Sequence, residues 1–419
     1  MKRWICLLLV LFLLAGCTTN TPENTESTSE PPATVREKAV PTPLTWEQIN
    51  AIPVATPDMT EKQLRQIVLD FFRLQLTFQW TPAQSFEYTI TTYQEPRKFE
   101  AGTVYAGLPY QGSNTSANIY LAMEYYDPQT GILDNTGLDG QTLTQLLGNH
   151  CTSSPYWAWG RVINSVKQYT NANMTEHYGF LPVGDYDYDF VQWSEVMKTK
   201  AVCKENGEQR MYEAYALLEP ADGIFLYYSP GGNSHCRMVS SHPVVVRNED
   251  GTINGDESYL LYMDQGSGLK DHTAADGTTV QLQGKVDFKA TFSELFSKNY
   301  ITFTFAEFRG TDPVEPGELT LQLPQTVTMG EMVTGELRSN YPISYFKITL
   351  TDKSGNTTYS KLTPAQGLNV FSIFLGKLIK TGDIDPIIRT GDQTLTVQAR
   401  ISTGELLTAY QGTLTANKN

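Results

Sequence analysis

One cysteine in this chain stands where a catalytic nucleophile could stand. Cys151 lies in the stretch GNHCTSSPYWAWGRV (Gly148–Val162), between His150 and a polar run that leads into an aromatic segment. A cysteine attacks as its thiolate, so catalysis requires a group that lowers its pKa or removes its proton. The pattern predicts a helix that starts at Cys151, because Thr-Ser-Ser can cap a helix and Pro155 suits an early helical position. Free N–H groups at such a start would favour an anion and could serve a developing oxyanion.

A histidine and a polar partner on later elements could complete this chemistry. His235 follows a Gly-rich turn in YYSPGGNSHCRMVSS and begins a predicted strand. The next predicted strand, SYLLYMDQ, ends in Asp264 and Gln265, either of which could accept a hydrogen bond from the imidazole and fix its tautomer. Side chains alternate faces along a strand, so only one of the two can point at His235. His242 is a rival base, although it precedes a proline, and His150 could assist or face solvent.

The same part of the chain could instead hold a metal. His150, Cys151, His235 and Cys236 are all competent zinc ligands if the two pairs meet. However, no C-x-x-C or H-E-x-x-H pairing occurs in the sequence, and neighbouring residues on a strand point to opposite faces. We therefore expect no metal and no cofactor. The Gly-rich stretches GLPYQGSN and YYSPGGNS match neither common nucleotide-binding motif.

The order of elements around these residues predicts an α+β domain over residues 56–310. Thr60 precedes an amphipathic pattern in TPDMTEKQLRQIVLDFFRLQLTFQW that is typical of a capped helix. From Met211 onward, β-branched and aromatic runs separated by Gly, Asn and Asp predict an antiparallel sheet. Helices followed by strands are typical of the α+β class rather than of alternating βαβ units.

A Pro/Gly/acidic joint, GTDPVEPGE (Gly310–Glu318), leads into a second segment. Residues 318–419 contain short alternating strands and turn signals, which predict a small all-β sandwich of Ig-like architecture. The segment has no His and no Cys. We therefore assign it no catalytic role and expect a spacer or a wall- or protein-binding module.

The N-terminus is typical of an exported chain. MKRW supplies a positive region, and ICLLLVLFLLAG is an apolar stretch too short for a comfortable membrane span. It ends in LAGC, which resembles the lipobox of bacterial lipoproteins, and that resemblance implies a signal peptide over residues 1–17 with Cys17 as the lipid anchor. An ordinary secretory signal or an uncleaved anchor is the alternative. Residues 18–55, rich in Thr, Pro and Glu, predict a disordered tether.

Composition narrows the possible partners. The chain has 31 Lys and Arg against 45 Asp and Glu, a formal net charge of −14, and no dense basic run beyond its first residues. Nucleic acid is therefore not an expected partner, since it is bound through clustered cations. Past Cys17 only Cys151, Cys203 and Cys236 remain. An odd number argues against a disulfide framework and leaves at least one thiol free; we expect Cys203 and Cys236 to be buried or incidental.

Several of these stretches together resemble a known family. CTSSPYWAWGRV, then PADGIFLYY and HCRMV, then a strand ending in DQ, are similar to the NlpC/P60 superfamily of papain-like bacterial cell-wall amidases and peptidases. TVYAGLPYQG is similar to the segment before the family's nucleophile. The resemblance covers roughly residues 105–265 and implies a papain-like α+β fold. It also implies Cys151 as nucleophile, His235 as base and Gln265 as orienter, with Tyr110 near the oxyanion.

The resemblance implies a membrane-tethered, extracytoplasmic cysteine hydrolase that cleaves amide bonds, with peptidoglycan stem peptides as its substrate. Asp264 stays open as the alternative orienter. Three features depart from the family pattern: Thr152 replaces a small residue, a long segment separates GLPY from Cys151, and Cys236 replaces an aliphatic residue. The long segment and Cys236 motivate the alternative of a non-catalytic binding or scaffold lipoprotein that retains the fold.

The lipobox interpretation predicts that Cys17→Ala abolishes labelling of the chain by radioactive palmitate in a lipoprotein-processing host, because the acylated thiol is gone. Cys203→Ala serves as the matched control and should label normally. Palmitate labelling that persists in Cys17→Ala would rule the lipid anchor out.

Overall fold

The structure is a computed structural model, and the part of it described here lies within one compact unit, residues 38–419. The predicted signal peptide, its lipobox cysteine Cys17 and the tether up to residue 41 lie outside the described residues. Residues 42–55, which the composition assigns to the tether, carry a short capped helix whose Ile49 is buried. In the described part of the chain, no helix is long and apolar enough to cross a membrane. The described residues are 42–111, 117–164, 180–187, 199–227, 234–273, 279–329, 331, 333–379 and 391–415.

The regular elements are numbered in chain order. The helices are α1 (Trp46–Asn50), α2 (Glu61–Thr77), α3 (Ile119–Met123), α4 (Gly140–Leu147), α5 (Ser153–Trp159), α6 (Thr199–Ala216), α7 (Phe292–Ser297) and α8 (Leu375–Leu378). The strands of the first half are β1 (Gln79–Pro82), β2 (Phe86–Ile90), β3 (Glu95–Phe99), β4 (Tyr105–Ala106), β5 (Tyr126–Asp127), β6 (Ile132–Leu133), β7 (Phe180–Pro182), β8 (Gly223–Tyr227) and β9 (Ser234–Val239). Those of the second half are β10 (Tyr259–Thr273), β11 (Thr279–Thr291), β12 (Ile301–Phe305), β13 (Leu319–Thr320), β14 (Thr326–Thr328), β15 (Thr334–Thr351), β16 (Thr357–Phe374), β17 (Gln393–Ile401) and β18 (Leu406–Thr415).

Ten strands form one mixed sheet in the order β5-β6-β1-β4-β11-β10-β9-β8-β12-β7. The pairs β1–β6 and β4–β11 are parallel, whereas the pairs β8–β9, β9–β10 and β10–β11 are antiparallel. The long hairpin β10–β11 therefore lies near the middle of the sheet, with β9 beside it. Two predicted site strands, β9 and β10, become direct neighbours in this order.

Helix α2 packs against this sheet and against α5. Thr60 caps it through a reciprocal capping box with Gln63, as the sequence predicts. Its apolar stripe, including Phe71 and Phe72, is fully buried in the main core. Burial of such side chains contributes about 1.5–3 kcal/mol each to the stability of the fold. Since α5 packs against α2, this anchored helix supports α5.

The predicted fold class is wrong. The structure is mostly β, with 42 % strand against 23 % helix, and contains large mixed sheets and a half-barrel rather than a papain-like α+β domain followed by an Ig-like sandwich. The C-terminal strands form one six-stranded sheet that includes β13 to β18, with β14 and β18 paired in parallel. Alternating apolar residues identify strands, but they do not state which strands pair or how many sheets result.

The C-terminal sheet packs directly on the helix that follows Cys151. Tyr156 in α5 donates its hydroxyl to the Gly367 carbonyl at 3.0 Å, and Ser402 donates to the Gly160 carbonyl at the end of that helix. Tyr341 donates to the Val162 carbonyl at 3.2 Å. These contacts give the second sheet a part in holding α5.

Gly404 is a sensitive point of this contact. Its φ is +97°, and a Cβ there would lie 2.0 Å from Nη1 of the buried Arg161 and 2.7 Å from the Tyr120 hydroxyl. Gly355 has a similar φ of +85°, but among the described residues nothing lies within 4 Å of its would-be Cβ. The two glycines therefore share a left-handed backbone conformation, but only Gly355 has room for a Cβ.

We predict that Gly355→Ala costs about 1–2 kcal/mol of unfolding free energy through its left-handed backbone. Gly404→Ala should cost about 1–3 kcal/mol more, because it also forces Arg161 and Tyr120 apart. Urea denaturation of the two variants measures the difference. Equal losses would show that the C-terminal sheet is not tightly packed against Arg161 and Tyr120.

Candidate active site

Cys151 lies in the loop between α4 and α5, held in place by the predicted GLPY segment. The Gln111 N–H donates to the Asn149 carbonyl at 2.8 Å, and the Asn149 N–H donates to the Pro109 carbonyl at 2.9 Å. Gly148 allows this approach, since a Cβ there would lie 2.6 Å from Cβ of Gln111. The pairing brings the GLPY segment beside Cys151 across the long insertion that separates them in sequence.

The start of α5 differs from the sequence prediction. The helix begins at Ser153 with Thr152 as its N-cap, so Cys151 precedes it. The N–H groups of Thr152 and Ser153 lie 3.3 and 3.4 Å from Nδ1 of His150, and the Ser154 N–H donates to the His150 carbonyl at 2.9 Å. The prediction of free helix N–H groups at the sulfur is therefore wrong, because His150 takes the first ones.

His235 and Asp264 meet on neighbouring strands of the main sheet. His235 in β9 lies with Nε2 2.9 Å from Oδ2 of Asp264 in β10. Gln265 points elsewhere, with its Nε2 donating to the Leu108 carbonyl at 2.9 Å. The assignment of Gln265 as orienter is thus corrected to Asp264. The alternation along the strand showed that one of the two faces His235, but the choice depended on the register between β9 and β10.

Asp264 is 2 % exposed and lies against three basic side chains. Besides His235, the Nε of Arg237 lies 3.2 Å and the Nζ of Lys285 3.8 Å from its Oδ2. Burial alone would raise the pKa of this carboxyl, but His235, Lys285 and Arg237 hold it below its ordinary value. Asp264 is therefore ionised at neutral pH and can fix the imidazole.

Arg237 and Lys285 were not singled out from the sequence. Arg237 stands two residues after His235, so strand alternation places both on the same face and could have identified it. Its guanidinium lies 4.0 Å from the ring centroid of Tyr262 and 4.6 Å from that of Tyr300, which holds the charge in a buried position. Lys285 pairs opposite Asp264 across an irregular stretch of the β10–β11 hairpin, so no local pattern predicted it.

The sulfur of Cys151 lies close to both imidazoles. Burial would raise the pKa of Cys151, but hydrogen bonding to His150 and His235 lowers it to about 6. Burial would lower the pKa of His235, but hydrogen bonds to Asp264 and Cys151 raise it to about 9. Because Nε2 of His235 binds Asp264, Nδ1 is the ring nitrogen left for the sulfur. Between about pH 6 and 9 the pair is therefore a thiolate and an imidazolium.

Tyr110 also lies near the sulfur of Cys151. Its ring stacks on Tyr93 at 6.2 Å, and its N–H donates to Oε1 of Gln283 at 2.7 Å. Burial, followed by the neighbouring Cys151 charge, raises the pKa of Tyr110 well above its ordinary value. The phenol thus keeps its proton at neutral pH and is a hydrogen-bond donor near the sulfur.

The remaining candidates lie away from this chemistry. His242 is exposed in the segment after β9. Cys203 and Cys236 are buried thiols, and burial raises the pKa of Cys203 to about 12. Within the described ranges, no group of three or more His, Cys, Asp and Glu side chains is arranged to hold a metal ion.

Comparison with known proteins adds no relative to this geometry: no model of a protein family matches the chain, and no curated protein matches it either. The similarity to the NlpC/P60 superfamily therefore depends on the short stretches quoted above.

The two thiol pKa values give a direct prediction. The rate at which iodoacetamide alkylates Cys151 should rise with pH through a midpoint near 6. The reason is that the thiolate forms near pH 6 rather than near 9, the ordinary pKa of a cysteine thiol. Cys203 should stay unlabelled at neutral pH, since its pKa is about 12. Peptide mass spectrometry after timed labelling distinguishes the sites. Labelling of Cys151 only above pH 8 would contradict the ion pair with His235.

Proposed function

We propose that this chain is a membrane-tethered, extracytoplasmic cysteine hydrolase that cleaves amide bonds. The observation that carries the proposal is the line of side chains Cys151, His235 and Asp264. It joins a thiol of lowered pKa to an imidazole that a buried carboxylate fixes at 2.9 Å. Such a line, assembled from separate elements, has the roles of nucleophile, base and orienter that acyl transfer requires.

The geometry supports hydrolysis of an amide through a thioester intermediate. The reaction starts from the thiolate of Cys151 and the imidazolium of His235, whose Nδ1 holds the proton given up by the thiol. The sulfur forms a bond to the carbonyl carbon while the C=O π pair moves to oxygen. As that pair returns, the C–N bond breaks and the leaving nitrogen takes the proton from His235. Water then attacks the thioester carbon and gives a proton to the imidazole. Cleavage of the C–S bond releases the acid and restores the thiolate.

Two further groups support these steps. Asp264 keeps Nε2 of His235 protonated, so Nδ1 remains the acceptor for the thiol proton. Tyr110 provides an O–H donor beside the sulfur, where a tetrahedral oxyanion would form. We therefore include in the proposal that Tyr110 donates a hydrogen bond to the oxyanion.

The substrate class and the location have a different basis. Peptidoglycan stem peptides follow from the similarity to the NlpC/P60 superfamily, and the membrane tether follows from the LAGC sequence at Cys17. An amide-cleaving enzyme tethered outside the membrane would meet peptidoglycan as an abundant amide substrate.

One contact favours the alternative of a non-catalytic binding or scaffold lipoprotein. Sγ of Cys151 also lies 3.6 Å from the Ser234 carbonyl oxygen, a contact that suits a thiol donor rather than a thiolate. A cysteine that is 7 % exposed and bonded in this way could be structural. The lowered pKa of the same sulfur is the reason to prefer the hydrolase.

Digestion of purified peptidoglycan separates the two functions. The wild-type chain should release stem-peptide fragments detectable by mass spectrometry, and Cys151→Ala should reduce the rate at least about 10³-fold, because the nucleophile is lost. Cys203→Ala is the matched control, a buried cysteine outside the site, and should retain activity. Identical product release by wild type and Cys151→Ala would overturn the hydrolase proposal.

A further inference from the structure

We propose that Arg237 is a positioning residue for the hydrolase, which holds the Asp264 carboxylate with its Oδ2 directed at Nε2 of His235. The proposal rests on the proposed function in taking His235 as the base. Arg237 is 7 % exposed. It therefore acts on the imidazole through Asp264, from inside the protein, and not through contact with the substrate.

The register of the central strands makes Arg237 the cross-strand neighbour of Asp264. In the antiparallel pair β9–β10, Met238 lies opposite Met263. One position further along each strand come Arg237 and Asp264. His235 is two residues earlier on β9, so it lies on the same face as Arg237 and reaches Asp264 diagonally. The carboxylate thus meets the guanidinium directly across the strands and the imidazole beside it.

A single oxygen of the carboxylate carries these contacts. Oδ2 of Asp264 lies 2.9 Å from Nε2 of His235, 3.2 Å from Nε of Arg237 and 3.8 Å from Nζ of Lys285. Oδ1 is buried and has no hydrogen-bond partner among the described residues. A carboxylate that is bonded through one oxygen can rotate about its Cβ–Cγ bond. The direction of Oδ2 therefore depends on the donors that meet there.

Arg237 is the donor whose own position is fixed. Its guanidinium lies over two aromatic rings, 4.0 Å from the centroid of Tyr262 and 4.6 Å from that of Tyr300. The Tyr262 hydroxyl accepts from Nζ of Lys285 at 2.9 Å, and the Tyr300 N–H donates to the Leu295 carbonyl at 3.0 Å, so both rings are anchored in turn. A guanidinium stays charged and donates in a fixed plane. Nε of Arg237 therefore gives the carboxylate a donor of fixed position.

Lys285 contributes charge to Asp264 but not direction. Its Nζ lies 3.8 Å from Oδ2, too far for a hydrogen bond, and its side chain is 27 % exposed. Burial raises the pKa of Asp264, whereas His235, Lys285 and Arg237 all lower it. Charge alone therefore does not distinguish the two cations. The hydrogen bond from Nε of Arg237 at 3.2 Å does.

Two substitutions to methionine separate the hydrogen bond from the charge. Arg237→Met keeps an unbranched side chain over the rings but removes the donor, and we expect kcat for peptidoglycan digestion to fall ~10- to 100-fold at unchanged KM. Lys285→Met removes a charge without a hydrogen bond to Asp264 and should lower kcat at most ~3-fold. Arg237→Lys can still donate and should recover most of the loss. Arg247→Met, a surface arginine paired with Glu213, is the matched control and should retain the wild-type kcat.

A double variant tests whether Arg237 acts through the carboxylate. In the Asp264→Asn background, Arg237→Met should lower kcat by less than ~2-fold, because the hydrogen bond is already lost. This variant replaces both buried charges, so it keeps the test available if Arg237→Met alone is unstable, which urea denaturation checks. Losses that multiply in the double variant would overturn the proposal. Equal losses in Arg237→Met and Lys285→Met, or no recovery in Arg237→Lys, would overturn it as well.

Proton NMR of the full chain with isotope-labelled histidines gives a readout that does not depend on turnover. The Nε2–H proton of His235, assigned by its loss in His235→Gln, should resonate downfield because it is bonded to a buried carboxylate. It should move upfield in Arg237→Met and stay in place in Lys285→Met. An unmoved resonance in Arg237→Met would overturn the proposal. If Cys151→Ala still releases stem peptides, the hydrolase fails, while the resonance still reports whether Arg237 positions the imidazole.

Discussion

The buried carboxylate of Asp264 is the interaction on which the rest of the site depends. An ionised carboxyl at 2 % exposure costs several kcal/mol unless charges and hydrogen bonds compensate for it. The compensation comes from three side chains on the two strands that flank β10: His235 and Arg237 on β9, and Lys285 on β11. The imidazole of His235 is one of these compensating groups. The contact that offsets the cost of burying Asp264 therefore also fixes the orientation of His235.

The cysteine reaches that arrangement from a different part of the fold. Its loop is held on one side by pairing with the GLPY segment, and α5 behind it is held by α2 and by the C-terminal sheet. Nucleophile and base are 84 positions apart in sequence, Cys151 and His235, and no single element carries both. Precise placement of reacting groups is what such rigid support provides, since small errors in position reduce catalysis strongly. The C-terminal sheet is for this reason part of the frame of the site.

The two histidines show how local surroundings assign different chemistry to one residue type. His235 is bonded to a carboxylate and shares a proton with the sulfur, whereas Nδ1 of His150 is surrounded by N–H donors. The helix start that the sequence placed at Cys151 begins two residues later, and His150 uses the first amides. Burial opposes the thiolate of Cys151, and the imidazoles of His150 and His235 lower the pKa of its thiol.

The sequence by itself determined the residue types and much of the local structure. It identified Cys151, His235 and the Asp264–Gln265 pair, the capped helix α2, and strands near their observed positions, because periodicity and capping act over a few residues. Only the tertiary structure decided that Asp264 rather than Gln265 faces His235, that Arg237 and Lys285 join it, and that the strands form large mixed sheets instead of a papain-like domain and an Ig-like sandwich. Strand order and register are set by burial and pairing between distant segments, and a shift of one residue would exchange Asp264 for Gln265.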